Sequence, residues 1–315
     1  MNLDLITPTF IIGILTATIR LATPILMVAI GEVFAERAGI LNLGLEGTML
    51  MGAMAGFLGA YWAQNLWVGV LCSILVGILF ALLMGFMSIT AKVNQVVAGL
   101  GITILGGGLS TLLFRFSFGL RATPPQISIF QNIPIPGLSE IPGLGTILFN
   151  HNILVYLTMM LIPIASFLLY RTRFGLAVRA VGENPDAADS RGIDVSRTRY
   201  LAVIIGGALA GLGGGYLAIG NLGLFWTQMT AGRGFIAIAV VIFSRWDPFR
   251  SMLGALLFGF ATALQLSLQT LQAPVPSEIL LMLPYIITIF VLIWVSKRAE
   301  FPGAFATPYN RGQDK

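Results

Sequence analysis

Apolar runs long enough to cross a lipid bilayer follow one another along most of this chain, broken by short turns and one polar island. A membrane-crossing helix takes roughly 20 residues. The sequence offers about nine such runs, near 9–30, 39–60, 67–91, 96–118, 152–170, 200–221, 232–244, 251–271 and 278–296. In hydrocarbon every backbone polar group must find its partner inside the protein, and runs of this length do so as helices. The expected fold is therefore all-α and polytopic, a single transmembrane domain over residues 1–315. Composition agrees: 57% of residues are apolar and 10% are charged, against about 25% charged in ordinary soluble domains. With a mean hydropathy of +0.89, one soluble core would have too little polar surface to cover it.

The polar island lies at about 171–199. It sets Arg171, Arg173, Arg179, Arg191, Arg197 and Arg199 beside Glu183, Asp186, Asp189 and Asp194. Together with the Arg245–Arg250 turn and a tail holding Lys297, Arg298, Arg311 and Lys315, it falls on one side of the membrane if nine spans alternate. The opposite side receives 119–151 and 272–278, with few cations beyond Arg121. Because cytoplasmic loops are enriched in Lys and Arg, the N-terminus, with Asp4 alone, is expected outside and the C-terminus inside. The first apolar run reads as a span rather than a signal peptide, since no basic residue precedes it. The net charge of +5 sits in these loops and reports orientation, not a nucleic-acid ligand. Within the island, 184–192 reads as a short helix outside the membrane. Asn184 caps it, Pro185 suits its first position, Asp186 favours its positive end and Gly192 stops it. Such a helix is a handle for a soluble partner.

Two spans are irregular. Between Arg233 and Arg245 the segment Gly234–Ser244 covers only about 16 Å as a helix, near half a bilayer. The run from Gly39 to Trp62 is interrupted by Gly39, Gly44, Gly47, Gly52, Gly56 and Gly59, and carries Asn42 and Glu46 near its start. Short or glycine-broken segments point to a transport pathway, although glycines also serve close helix packing. Packing is the expected role of Gly207, Gly211 and Gly215, spaced by four with no polar group beside them.

Polar residues inside apolar runs are costly and must find partners. Arg20, midway along the first run, is expected in a structural ion pair with Glu46, Glu32 or Glu36, or in contact with substrate. Glu46 is either such a partner, a bond acceptor for a backbone amide, or part of a pathway. Asn94 and Gln95 open the fourth run, as a helix cap or as amides suited to hydroxylated or heterocyclic ligands. Gln265 and Gln269 share a helix face and either line a cavity or bond between helices. His151, the single histidine, is expected to be solvated in the outer loop. That loop is rich in proline and glycine and should form extended backbone and turns, a rigid cap or a landing surface for an external protein.

Absences narrow the class. Neither Lys92 nor Lys297 is followed by Ser or Thr, so no P-loop cradles a nucleotide phosphate. One histidine and one cysteine, Cys72, exclude ordinary zinc or iron sites, and no Gly-x-Ser-x-Gly elbow occurs. No catalytic or metal-binding residues are expected, and an enzyme is disfavoured. Carboxylates in the spans are sparse, which argues against a proton-coupled secondary carrier. Uphill movement of a ligand then needs energy from another chain.

Four stretches carry a resemblance. Arg37-Ala38-Gly39-Ile40-Leu41-Asn42-Leu43-Gly44-Leu45-Glu46-Gly47-Thr48-Met49 resembles the glycine-rich second-span signature of binding-protein-dependent ABC importer permeases, in the branch for nucleosides and simple sugars. Val93 to Leu100 matches a second signature. Arg179 to Pro185, with Ala187 and Ala188, resembles the coupling loop, and Thr230 to Val240 resembles another pathway segment. The resemblance implies a permease whose pathway is lined by Asn42, Glu46, Asn94, Gln95 and Phe235. It implies a cytoplasmic ATPase that grips Glu183, Asn184, Pro185, Asp186, Ala187, Ala188, Asp189, Arg191 and Gly192. ATP is then bound by that partner and no cofactor by this chain. A second permease subunit, homologous or identical, and an extracellular or periplasmic substrate-binding protein complete the assembly, in a bacterial cytoplasmic (inner) membrane. Branched-chain amino acid permeases are the related alternative.

Overall fold

Small residues decide which helices lie inside. In the computed structural model, residues 7–119, 125–270, 276–296 and 301–310 are described. Asp4, Arg121, Lys297, Arg298, Arg311 and Lys315, and parts of the 119–151 and 272–278 loops, lie outside the described residues. The chain forms α1 (Pro8–Arg37), α2 (Leu45–Ala63), α3 (Leu66–Gly85) and α4 (Gln95–Phe118), then β1 (Asn132–Pro134), α5 (Leu144–Leu148) and β2 (Asn150–Asn152). It continues through α6 (Ile153–Arg171), α7 (Arg173–Glu183), α8 (Pro185–Ser190), α9 (Val195–Gly215), α10 (Arg233–Phe243), α11 (Pro248–Thr270) and α12 (Ser277–Ser296). Helices α3 and α9 each run on into a π-helical turn, Phe86–Thr90 and Tyr216–Leu222.

Among the described residues six helices, α1, α3, α4, α6, α9 and α11, are long and apolar enough to cross a membrane; α10 is apolar but has 11 residues. The apolar stretches of α1 and α9 are 61% and 72% buried, against 28% for α3 and α4, so α1 and α9 are interior and α3 and α4 peripheral. Helix α2 packs against α3, α4 and α9, and α1 against α9 and α11. Gly211 shows why the approach is so close: a Cβ there would collide with Ser73 O and lie 2.8 Å from Gly77 Cα on α3. A bare backbone surface lets helices meet in a bilayer, where apolar side chains alone give no preference for protein over lipid. The outward faces of α3 and α4 expose Leu71, Leu75, Leu79, Ile104 and Phe116, as lipid contact requires.

The segment between α4 and α6 departs from the all-α expectation by a small antiparallel ribbon, in which Asn132 faces Asn152 and Ile133 faces His151. It rests on the far end of α9, where the amides of Ile127 and Phe130 donate to the carbonyls of Gly223 and Ile219. His151 is buried rather than solvated, because its Nε2–H donates to Ile147 O at 2.7 Å beneath this cap. Burial, reinforced by the charge of Arg20 and opposed by that bond, holds the imidazole below its ordinary pKa.

Candidate functional site

The short helix α10 is gripped at both ends by carboxylates from two of the helices packed beside it, α2 and α1. At its start, Glu46 of α2 accepts from the amides of Gly232 at 2.8 Å and Gly234 at 2.7 Å, and from the Thr230 hydroxyl at 2.5 Å. The first turn of a helix presents unpaired N–H groups and the positive end of its dipole, so a carboxylate there satisfies both. Glu46 is 5% exposed, which raises the weight of these charge-assisted bonds. Just beyond the other end, Trp246 donates its indole N–H to Glu36 of α1 at 2.5 Å, both side chains fully enclosed. Left-handed backbone brackets the helix. Gln228 and Ala231 precede it with φ of 63° and 47°, and Arg245 and Trp246 follow with 53° and 57°. Non-glycine residues rarely adopt this region, so both ends are set by tertiary contacts.

Asn42 and Gln95 meet at the turn between α1 and α2. The Asn42 amide donates to Glu32 Oε1 at 3.0 Å while its side-chain oxygen accepts from Gly44 N at 2.9 Å. Gln95 Oε1 accepts from Leu41 N at 2.8 Å. Both residues are buried. Asn94 is exposed and caps α4, accepting from the amides of Val96 and Val97. Phe235 is 41% exposed on α10. Of the five pathway candidates, Asn42, Glu46 and Gln95 thus lie in one buried belt around the α1–α2 turn, and Asn94 and Phe235 face outward.

The pairing foreseen for Arg20 is corrected. Glu32, Glu36 and Glu46 are held by Asn42, Trp246 and the start of α10, and Arg20 lies exposed on α1. Twelve residues of helix, about 18 Å, separate it from the first of those carboxylates.

The polar island is more ordered than a loop. Helix α7 buries Gly175, Val178, Val181 and Gly182, and α8 follows with Asn184 Oδ1 accepting from Ala187 N at 3.0 Å and Pro185 in its first position. Gly192 ends it at φ 82°. Glu183, Asn184, Asp186, Ala187, Arg191 and Gly192 are exposed, Pro185 and Asp189 partly so, and Ala188 is buried under the helix. Arg199, counted above among the loop cations, is instead buried at 1% exposure in α9. It donates to Ala38 O and Thr307 O at 3.1 Å each. Its place four residues before Val203 and seven before Gly206, both buried, was the available signal. Trp246 and the segment 301–310, which Arg199 touches, were not singled out from sequence either, and Glu36 was named only as a partner for Arg20.

A family model described as "Branched-chain amino acid transport system / permease component" matches residues 14–292. A Haloferax volcanii protein assigned as the glucose ABC transporter permease TsgC13 is 39% identical, over 97% of this chain and 99% of that one. The guanosine ABC transporter permease protein NupQ of Bacillus subtilis is 38% identical, over 95% of this chain and 97% of its own. A solved inward-facing ABC transporter, assigned to the metal-chelate type, shares the fold at a TM-score of 0.52 and 14% identity, over 90% of this chain and 85% of that one. With nearly its whole length matched, the chain belongs to the permease-component family of the branched-chain amino acid transport systems.

Proposed function

We propose that this chain is the multi-pass permease subunit of an ATP-driven importer of nucleosides or related simple sugars, coupled to an ATPase on a separate chain. The observation that carries the reading is α8, a capped six-residue helix held outside the spanning bundle on a buried base. The names borne by relatives at 38–39% identity supply the substrate class. In this reading residues 1–315 form one permease domain with nine membrane segments, α10 being a half-span, and 171–199 faces the cytoplasm. The N-terminus is then outside, the C-terminus inside, and the membrane is the bacterial cytoplasmic one.

The buried belt of Asn42, Glu46 and Gln95, with Asn94 and Phe235 at its edges, is the part of the pathway that rearranges. The ATPase holds Glu183 to Gly192 and swings this permease against a second, homologous one, while an external binding protein delivers substrate. The charge distribution supports this orientation, since six arginines fall between 171 and 199. Branched-chain amino acids are the second reading, favoured by the family's own description. Uptake of labelled guanosine, glucose and leucine by cells lacking this chain separates the two. Loss of guanosine or glucose uptake is expected, and loss of leucine uptake alone overturns the assignment.

A further inference from the structure

The segment 301–310 is fastened to the polar end of the bundle at several separate places. Phe301 and Phe305 set their rings 5.2 and 6.2 Å from that of Trp246. The amides of Gly303, Ala304 and Ala306 donate to Glu183 Oε2 at 3.3 Å, Gly182 O at 2.8 Å and Gly39 O at 3.1 Å. Arg199 donates to Thr307 O at 3.1 Å, and Lys92 bonds Asn310. Pro302 and Ala304 are buried, and Tyr309 packs with Val181, Ala188 and Val195 beneath α8. A terminal segment is ordered only where such contacts tie it down. This one is bonded to the same residues, Gly182 and Glu183, from which α8 springs.

Between α8 and this segment lies a cleft of about 270 Å³, with Glu183, Asn184 and Asp186 on one wall and Thr307, Pro308 and Asn310 on the other. That is below the roughly 300–1,000 Å³ of small-molecule sites and suits a single side chain. Among the described residues two carboxylates line it and no cation does, so a basic side chain complements it. Resting on the proposed function, we infer that residues 307–310 and α8 form one continuous docking face for the ATPase, with a lysine or arginine of that subunit seated in the cleft between them.

A photo-crosslinking residue placed at Pro308, at Ala187 and at Phe116 in the full permease, co-expressed with its ATPase in membranes, tests the face. Pro308 and Ala187 are exposed, and Phe116 is an 88% exposed control on α4. ATPase adducts are expected at 308 and 187 and not at 116. Adducts at 187 alone overturn this inference and leave the proposed function standing; adducts at neither 308 nor 187 defeat both. The paired changes Glu183→Gln and Asp186→Asn, which keep shape and the bond to Gly303, should weaken ATPase association severalfold and flatten its salt dependence. Unaltered association and salt dependence would remove the basic side chain from the cleft.

Discussion

The backbone amide of Gly234 donates to Glu46 at 2.7 Å, and a Cβ on Gly234 would stand 2.5 Å from the Glu46 nitrogen. Bond and contact together fix α10 against α2, so the two residues should behave as a unit. Glu46→Ala leaves two amides and a hydroxyl without their acceptor. Bonds to charged groups contribute about 1.5–3 kcal/mol each, so a clear drop in Tm of the detergent-solubilised protein is expected, together with loss of uptake. Glu46→Gln keeps an acceptor and should lose less. Gly234→Ala should resemble Glu46→Ala by pushing the helices apart. Equal stability of the alanine and glutamine variants at 46 would mean that the cap contributes nothing.

Trp246 and Glu36 form the matching grip at the other end of α10. Trp246→Phe keeps an aromatic ring against Phe301 and Phe305 but withdraws the sole donor shown for the Glu36 carboxyl, whose Oε1 is already without a partner. A buried acceptor left unsatisfied costs about 1–3 kcal/mol. Glu36→Gln, which still accepts from the indole, should cost less than Trp246→Phe. Thermal unfolding of the two variants makes the comparison; a loss at Trp246→Phe no larger than that at Glu36→Gln would show that the bond carries no stability.

Much of this was legible in the sequence, for reasons that differ between residues. Run length and the scarcity of charge dictated the helices, and Asn184, Pro185 and Gly192 dictated α8, because caps and breakers act through neighbouring backbone alone. Likewise the half-length of α10 could be read from the arginines at 233 and 245. The partners of Glu46 and Glu36 could not, since Gly232 and Trp246 lie 186 and 210 residues further along the chain. Nothing in the local pattern states that fold closure brings them together. The burial of Arg199 was signalled by helical spacing alone, since one of its acceptors, Thr307, lies 108 residues further on, in a tail read only for its cations.

His151 introduces a pH dependence at the outer cap. Its imidazole is held below the ordinary value of 6.5, first by burial. As pH falls below about 6.5 the unfolded chain takes up a proton that the folded chain refuses, so stability declines with falling pH, by at most about 1.4 kcal/mol per unit. His151→Gln keeps an N–H for Ile147 and removes the titration. Between pH 7.5 and 5.5 the wild-type protein should therefore lose more Tm than the variant. Parallel curves would assign the acid sensitivity elsewhere.

Substitutions on the exposed face of α8 probe coupling to the ATPase. Asp186→Arg reverses charge at the positive end of the helix, and Ala187→Trp puts bulk where a partner must sit, while buried Ala188 keeps the helix seated. Both should leave membrane insertion intact and reduce uptake at least tenfold, with ATP hydrolysis persisting uncoupled or the ATPase failing to co-purify. Normal uptake by both variants would take α8 out of the mechanism.

Single cysteines in a Cys72→Ala background report which pathway candidates meet water, and when. At rest, cysteine at Asn94 or Phe235 should react readily with a small charged thiol reagent if both edge the pathway as proposed, whereas Asn42, Glu46 and Gln95 are at most 5% exposed. If the belt around the α1–α2 turn opens during transport, reactivity at 42 and 95 should rise when ATP and binding protein are added. It should stay low with a non-hydrolysable nucleotide that halts the cycle. Lipid-facing Ile104, 76% exposed in the isolated chain, supplies the control, because a charged reagent does not enter hydrocarbon. Position 42 staying protected through active turnover, with uptake retained, would show the belt to be scaffold and move the pathway toward the side of α10 that bears Phe235.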